Sequence, residues 1–287
     1  MNPVVKTFFD EETFTASHVV IDPSTKKFAI IDSVLNFDAA SGRTTTNSAD
    51  AIIDYVADNG LDVEWILETH IHADHLTAAP YLHEKLGGKT GISSRINHVQ
   101  STFGKVFNAE AGFARDGSQF DILFDDGEKF KLGNIDAYVM HTPGHTPACS
   151  TVIIGDAAFV GDTLFMPDYG TARCNFPGGD ACTLYRSIQK IFSLPDQTRL
   201  FMCHDYKSPT RDVFAWETTV AEERAENIHV KTGISEDAFV EMREARDKTL
   251  SMPRLIVPSV QINMRAGDMP PPEENGVSYL KMPINAL

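Results

Sequence analysis

The chain has 287 residues, with 42% hydrophobic and 23% charged side chains, an ordinary globular composition that gives no case for disorder or a fibre. Its formal net charge of -15, with no Lys/Arg-rich run, repels phosphate backbones and anionic lipid, so neither nucleic acid nor membrane is an expected partner. Residues 1–20 carry Lys6, Asp10, Glu11 and Glu12 and no apolar stretch of signal-peptide length, which makes a cytoplasmic address the expectation.

Within the first forty residues, short apolar runs at 17–21 and 28–31 flank Asp22, Pro23 and Ser24, which predicts a β-meander. From Ser48 onward, Ile52, Ile53, Val56 and Ala57 follow helical spacing and Gly60 stands where a helix would stop. Residues 63–67 read as a buried strand running into Thr69 and His70, and residues 78–86, closed by Gly87 and Gly88, read as the next helix. Strands are predicted at 122–124, 129–132 and 135–141, with turns at 125–127 and 133–134, and again at 151–154, 158–160 and 200–202. Ser235 opens a helix running to about residue 250, and a tail punctuated by Pro253, Pro258 and Pro270 to Pro272 follows. The expected organisation is a core over residues 1–225, two packed sheets with helices outside, and an extension over 226–287 that packs on it.

Thr69 to His75 places His70, His72, Asp74 and His75 within six residues, directly after an apolar strand able to hold them rigid. Three further strand ends carry a potential ligand: His145 after Pro143 and Gly144, Asp162 after Gly161, and His204 after Cys203. Gly144 and Gly161 would permit tight turns where a Cβ would obstruct an ion. An imidazole and carboxylate set without thiolate suits zinc, iron or manganese. Cys149, Cys174, Cys182 and Cys203 are widely spaced, with no CxxC pair, and read as reduced thiols. His18, His83, His98, His141 and His229 lack comparable company and receive no catalytic role.

The order HxHxDH, TPGHT, GDTLF and CHDY over roughly residues 14 to 210 resembles the metallo-β-lactamase superfamily. That resemblance implies an α+β fold, an αββα sandwich with the metal site in a cleft along one edge of the two sheets, followed by the C-terminal helical or irregular extension. The segments Asp168 to Arg173, His204 to Tyr206 and Asn263 to Gly267 resemble the persulfide dioxygenase branch. Where other members of that branch carry an Arg-Thr-Asp-type segment, this chain reads Arg173-Cys174-Asn175, closer to the bacterial β-lactamase-like form.

The resemblance implies one Fe(II) per chain held by His70, His145 and Asp162, with His72, Asp74, His75 and His204 around them to orient the ligands or to form a second metal site. It also implies that Arg173 and Cys174 face the substrate, that Tyr206 donates a hydrogen bond to substrate or oxygen, and that the chain is a homodimer. The implied reaction converts glutathione persulfide, or a related small persulfide, with O₂ and water into thiol and sulfite, as in sulfide detoxification. One alternative is a dinuclear zinc thioester hydrolase of the glyoxalase II type, with two Zn(II). There His70, His72 and His145 would hold one ion, Asp74, His75 and His204 the other, and Asp162 would bridge. The other alternative is a non-catalytic metal or redox sensor. Plain readings stand beside these: Arg173 as a surface arginine, Cys203 as core filling, and residues 263–267 as a turn that packs the tail.

Overall fold

The apolar runs of the first third lie side by side as strands β1 (Val4–Asp10), β2 (Thr15–Ile21) and β3 (Lys27–Ile31), paired antiparallel in chain order. The protein is described by a computed structural model covering residues 2–285. A small hairpin of β4 (Asn36–Asp38) and β5 (Arg43–Thr45), then helix α1 (Asn47–Asp58), return the chain so that β6 (Asp62–Leu67) adds parallel to β3. Helix α2 (Ala79–Leu86) makes the same return for β7 (Lys89–Ser93), and helix α3 (Ile96–Val106) leads to β8 (Ile122–Phe124). These strands form one six-stranded sheet in the order β1-β2-β3-β6-β7-β8.

The second sheet begins with β9 (Lys129–Leu132), β10 (Ile135–His141), β11 (Ser150–Ile154) and β12 (Ala157–Phe159), an antiparallel run. Helix α4 (Ala181–Phe192) crosses over so that β13 (Arg199–Phe201) joins parallel to β12, and β14 (Glu217–Thr219) closes the far edge. Helices α5 (Val220–Glu226), α6 (Glu236–Asp247) and α7 (Ile256–Asn263) complete the described chain. Residues 286 and 287 of the expected extension lie outside the described residues.

Alternation along each strand sorts side chains into layers. Ala29 and Ile31 of β3 join Leu67, Val152, Phe159 and Phe201 between the sheets, whereas Phe28 and Ile30 face α1 and α2 alongside Ile52 and Leu82. On the other flank Ile153, Ala158 and Leu200 meet Leu184, Ile188 and Phe239 under α4 and α6. Each of the larger side chains among these (Val, Leu, Ile or Phe), fully buried, contributes roughly 1.5–3 kcal/mol. The layers are therefore helix, sheet, sheet, helix, as the motif order implied.

Strands β3, β6, β10, β12 and β13 run in the same sense within their sheets, so the loops leaving Ile31, Leu67, His141, Phe159 and Phe201 open along one edge of the sandwich. That edge carries every predicted ligand. His141 ends β10 as a structural residue, its Nε2 3.0 Å from the Phe124 carbonyl and 3.1 Å from Ser93 Oγ.

The extension carries two helices, α6 as expected from Ser235 onward and α7, which forms around Pro258. Proline is tolerated in a first helical turn, where its missing N–H would have no intrahelical acceptor. Residues 181–192, left unassigned from sequence, form α4, whose Asp180 cap accepts from the Thr183 N–H at 2.7 Å. Among the described residues no helix is long and apolar enough to cross a membrane.

Helix α6 is locked to the core by a buried ion pair. Arg243 lies 2.6 Å from Asp247 Oδ1 one turn away and donates to the Thr171 carbonyl at 3.0 Å, while Asp247 Oδ2 accepts the Cys174 N–H at 2.9 Å. Replacing Arg243 by Met leaves Asp247 buried without its counter-charge and is expected to lower unfolding free energy by about 3–5 kcal/mol in urea titration. A loss under about 1 kcal/mol would show that solvent or another cation takes over.

Candidate metal centre

His70 stands on the loop that leaves β6, and its imidazole is oriented from behind. Its Nδ1–H donates to Thr69 Oγ1 at 3.0 Å, and the Thr69 hydroxyl in turn donates to Asp32 Oδ2 at 2.8 Å. Because that hydroxyl proton is committed to the carboxylate, the Thr69 oxygen can only accept, and the His70 Nε2 is left as a lone pair. His145 is set in the same way: its Nδ1–H donates to the Arg173 carbonyl at 2.7 Å, which turns Nε2 toward the site. Gly161 is required beside them, since at φ +51° its added Cβ would stand 2.5 Å from Thr69 Oγ1.

Asp162 closes the set. Its Oδ2 lies 3.6 Å from His145 Nε2 and 4.0 Å from His70 Nε2, and its Oδ1 lies 3.4 Å from His204 Nε2. Ligand bonds of roughly 2.1 Å put neighbouring donor atoms about 3–3.5 Å apart, so a cation would need only a small inward movement. His70 Nε2, His72 Nδ1, His75 Nε2 and Asp162 Oδ1 are all buried and lack a hydrogen-bond partner, while His204 Nε2 has the Asp74 carboxylate at 3.0 Å. Each orphan costs about 1–3 kcal/mol. Four orphans aimed at one edge are the arrangement a divalent cation satisfies, and the donor chemistry fits zinc or iron.

The predicted residues fall into two groups. His70, His145 and Asp162 bring three ligand atoms within 4.8 Å of one another, and His72, Asp74, His75 and His204 form a second group by the same measure. Electrostatics cuts across that division: burial together with neighbouring His72 lowers His75 of the second group to about 4. Burial, reinforced by neighbouring His72 and His145, holds His70 well below the ordinary imidazole range. Burial alone would also lower His72, but Asp32 and Glu68, each 3.1 Å from its Nε2, outweigh it and raise the pKa well above the usual value. His204 resists burial through Asp74 and Asp162 and is raised to about 9.

In front of these groups lies a cavity of about 340 Å³, within the size range of small-molecule sites. Phe165, Tyr169 and Tyr206 form its aromatic wall, with the Tyr206 ring stacked on His204 at an interplanar angle of 19°. Arg173 also lines it, lying over the Phe176 ring and donating to the Ser251 carbonyl at 2.6 Å. Cys174 does not. Its side chain is buried, its Sγ is 3.4 Å from Asp247, and burial together with that carboxylate pushes the thiol up to about 12. The expected substrate contact by Cys174 is therefore corrected: its thiol packs toward α6, away from the cleft. All four cysteines are free, and Cys203 is buried beside Asp162 and His204.

Sequence reading missed several contributors. Asp32 at the end of β3 and Glu68 at the end of β6 carry no motif, although each is an isolated acid directly after an apolar strand. Arg246 and Arg254 reach the cleft from the extension, and Arg246 and Arg173 have no carboxylate partner among the described residues. Arg254 pairs with Glu12 at 3.1 Å on the surface.

Residues 13–204 match the family model of the metallo-beta-lactamase superfamily. A probable metallo-hydrolase of Burkholderia pseudomallei is 56% identical over 99% of this chain and 99% of its own. A mitochondrial persulfide dioxygenase of Bos taurus, ETHE1, is 30% identical over 94% of this chain and 91% of its own. The crystal structure of ETHE1 from Myxococcus xanthus superposes with a TM-score of 0.73 at 28% identity, covering 92% of this chain and 100% of the other.

Thr69→Val removes the hydroxyl that fixes the His70 tautomer while keeping its volume. Metal affinity, read by chelator competition on the folded variant, should fall by about 10- to 100-fold; affinity equal to wild type would eliminate the hydroxyl as the orienting group.

Proposed function

The chain belongs to the metallo-β-lactamase superfamily, and on that footing we propose that it is a persulfide dioxygenase, using one Fe(II) to oxidise glutathione persulfide or a related small persulfide with O₂. The observation that carries this reading is the trio His70, His145 and Asp162, two imidazoles and one carboxylate converging from three strand ends. Bound iron would supply a redox-active centre with coordination positions open to both a sulfur and O₂, which zinc lacks the oxidation states to match. The similarity to persulfide dioxygenases supports the same reading, because it extends through the C-terminal extension as well as the sandwich.

The overall change is RSSH + O₂ + H₂O → RSH + H₂SO₃, with the acid ionising to sulfite. The chain's own residues have three tasks in it. His70, His145 and Asp162 hold the ion, and Thr69 and the Arg173 carbonyl keep both imidazoles in the ligating tautomer. Arg173, Arg246 and Arg254 at the cleft mouth bind the carboxylates of a tripeptide thiol carrier through forked hydrogen bonds. Phe165 and Tyr169 exclude water from the reacting sulfur. The Tyr206 phenol, at the cleft and an acid far weaker than a carboxyl, keeps its proton near neutral pH and serves as a hydrogen-bond donor.

A second reading has its own observation. Asp162 Oδ1 faces His204, and the orphaned Nε2 of His75 stands with His204 and Asp74 as a second ligand group, which supports a dinuclear zinc thioesterase. The similarity to a protein named as a probable metallo-hydrolase is in keeping with it.

Anaerobic purification with metal analysis, followed by O₂ uptake with glutathione persulfide, separates the two. About one iron per chain with oxygen-dependent sulfite release is expected; two zinc ions with cleavage of a glutathione thioester would replace the dioxygenase by the hydrolase. Arg246→Ala and Arg254→Ala should each raise KM for the persulfide about 10-fold with kcat little changed, the pattern of lost uniform binding. An unchanged KM in both variants would take the arginines out of substrate recognition.

A further inference from the structure

Asn263, the last residue of α7, is 2% exposed and sits against the loop that follows β6. Its Nδ2 donates to the His72 carbonyl at 2.9 Å and to the His75 carbonyl at 2.8 Å, and its Oδ1 accepts the Thr77 N–H at 2.9 Å. Both amide hydrogens and the amide oxygen are thereby used on one six-residue stretch. Residues 70–77 belong to no helix or strand, so their backbone groups have no regular ladder to hold them. The carbonyls of His72 and His75 have no other hydrogen-bond donor among the described residues.

The helix bearing Asn263 is itself fixed. The Met264 carbonyl accepts from Gln100 Nε2 of α3 at 3.0 Å. Gly267, at φ +95°, lets the chain pass so close that a Cβ there would stand 2.5 Å from Pro80 Cδ. The amide therefore projects from a braced element onto a segment that carries His70, His72, Asp74 and His75.

We propose that Asn263 is a positioning residue for a divalent metal cation: by clamping the carbonyls of His72 and His75 it sets the loop from which the ligands project, so that metal affinity depends on the C-terminal extension. This rests on the metal-centre reading alone and holds for one ion or two, since either chemistry takes ligands from that loop. A purely structural role is separable, because α7 carries a second buried amide of the same design. Gln261 Nε2 donates to the Val257 carbonyl at 2.7 Å and the Lys281 carbonyl at 3.0 Å, and Gln261 Oε1 accepts the Lys281 N–H at 2.9 Å. It ties down the tail and touches no ligand loop.

The test compares Asn263→Asp with Gln261→Glu, the same amide-to-carboxylate change at each clamp. Apo-protein would be titrated with Co(II) and anaerobically with Fe(II) against a competing chelator, and the visible spectrum of the Co(II) form recorded. Asn263→Asp turns an oxygen toward two carbonyl oxygens; it should weaken both metals by about 10- to 100-fold and alter the Co(II) bands. Gln261→Glu should stay within about twofold of wild type while still lowering the apo melting temperature. Affinity of Asn263→Asp within twofold of wild type, or an equal loss in Gln261→Glu, would overturn the assignment. Should Asn263→Asp not fold, Asn263→Ser keeps one donor; at least a fivefold loss is expected, and a value within twofold would overturn it likewise. A wild-type chain that binds neither metal would remove the metal centre itself, a different failure.

Discussion

The carboxylate of Asp32 is the point on which the metal edge turns. It sits just past β3 in left-handed backbone, φ +54°, and accepts the Thr69 N–H and hydroxyl, each at 2.8 Å, and His72 Nε2 at 3.1 Å. One side chain thus joins the end of β3 to the end of β6 and, through Thr69, fixes the proton on His70. Burial would raise its pKa, but His72 and the Thr69 hydrogen bonds prevail and lower it to about 2, so it is a carboxylate wherever the protein is folded near neutral pH. The strained backbone is the cost of aiming that carboxylate at three donors at once.

The sandwich presents ligands, and the C-terminal extension completes what surrounds them. From α6, Arg243 and Asp247 hold the segment 171–174, whose Arg173 carbonyl orients His145. From the same region come Arg246 and Arg254, the cationic lip of the cleft on a chain whose net charge is -15. Arg254 is offset there by Glu12 at 3.1 Å, so the unpaired positive charge of the lip rests on Arg173 and Arg246.

The ligands were legible because each lies in a short motif directly after an apolar run, where backbone direction alone brings strand ends to one edge. The elements were legible where periodicity was strong, as in β6, β10 and α1. What escaped reading depends on pairing across the fold. Asp32 acquires meaning only when β3 lies beside β6, and Asn263, though it opens a segment the resemblance marked, shows what its amide holds only when α7 reaches a loop nearly two hundred residues earlier. Pro258 concealed α7, although a proline in the first turn is compatible with a helix. Cys174 was misassigned for a simpler reason. Nothing in the sequence marks which way its side chain packs: Thr171, Ala172 and Arg173 all line the cleft, whereas the Cys174 thiol lies 3.4 Å from Asp247 of α6.

The two ligand groups are not equally prepared for an ion, and that difference bears on how many the site takes. His70 and His145 have their Nδ1 protons committed at 3.0 and 2.7 Å to Thr69 Oγ1 and the Arg173 carbonyl, acceptors that are themselves anchored by Asp32 and by the backbone clamp from Asp247. Of the second group, His75 is held more loosely, its Nδ1 3.4 Å from both Thr15 Oγ1 and Asp74 Oδ1, whereas His204 has the Phe14 carbonyl 3.2 Å from its Nδ1 and Asp74 Oδ2 3.0 Å from its Nε2. An imidazole that must still settle its tautomer and orientation gives back part of its binding energy to do so, whereas a fixed one gives back little. Preorganisation thus distinguishes His70 and His145 from His75, while Asp162, with Oδ2 toward His145 and Oδ1 toward His204, is common to both groups.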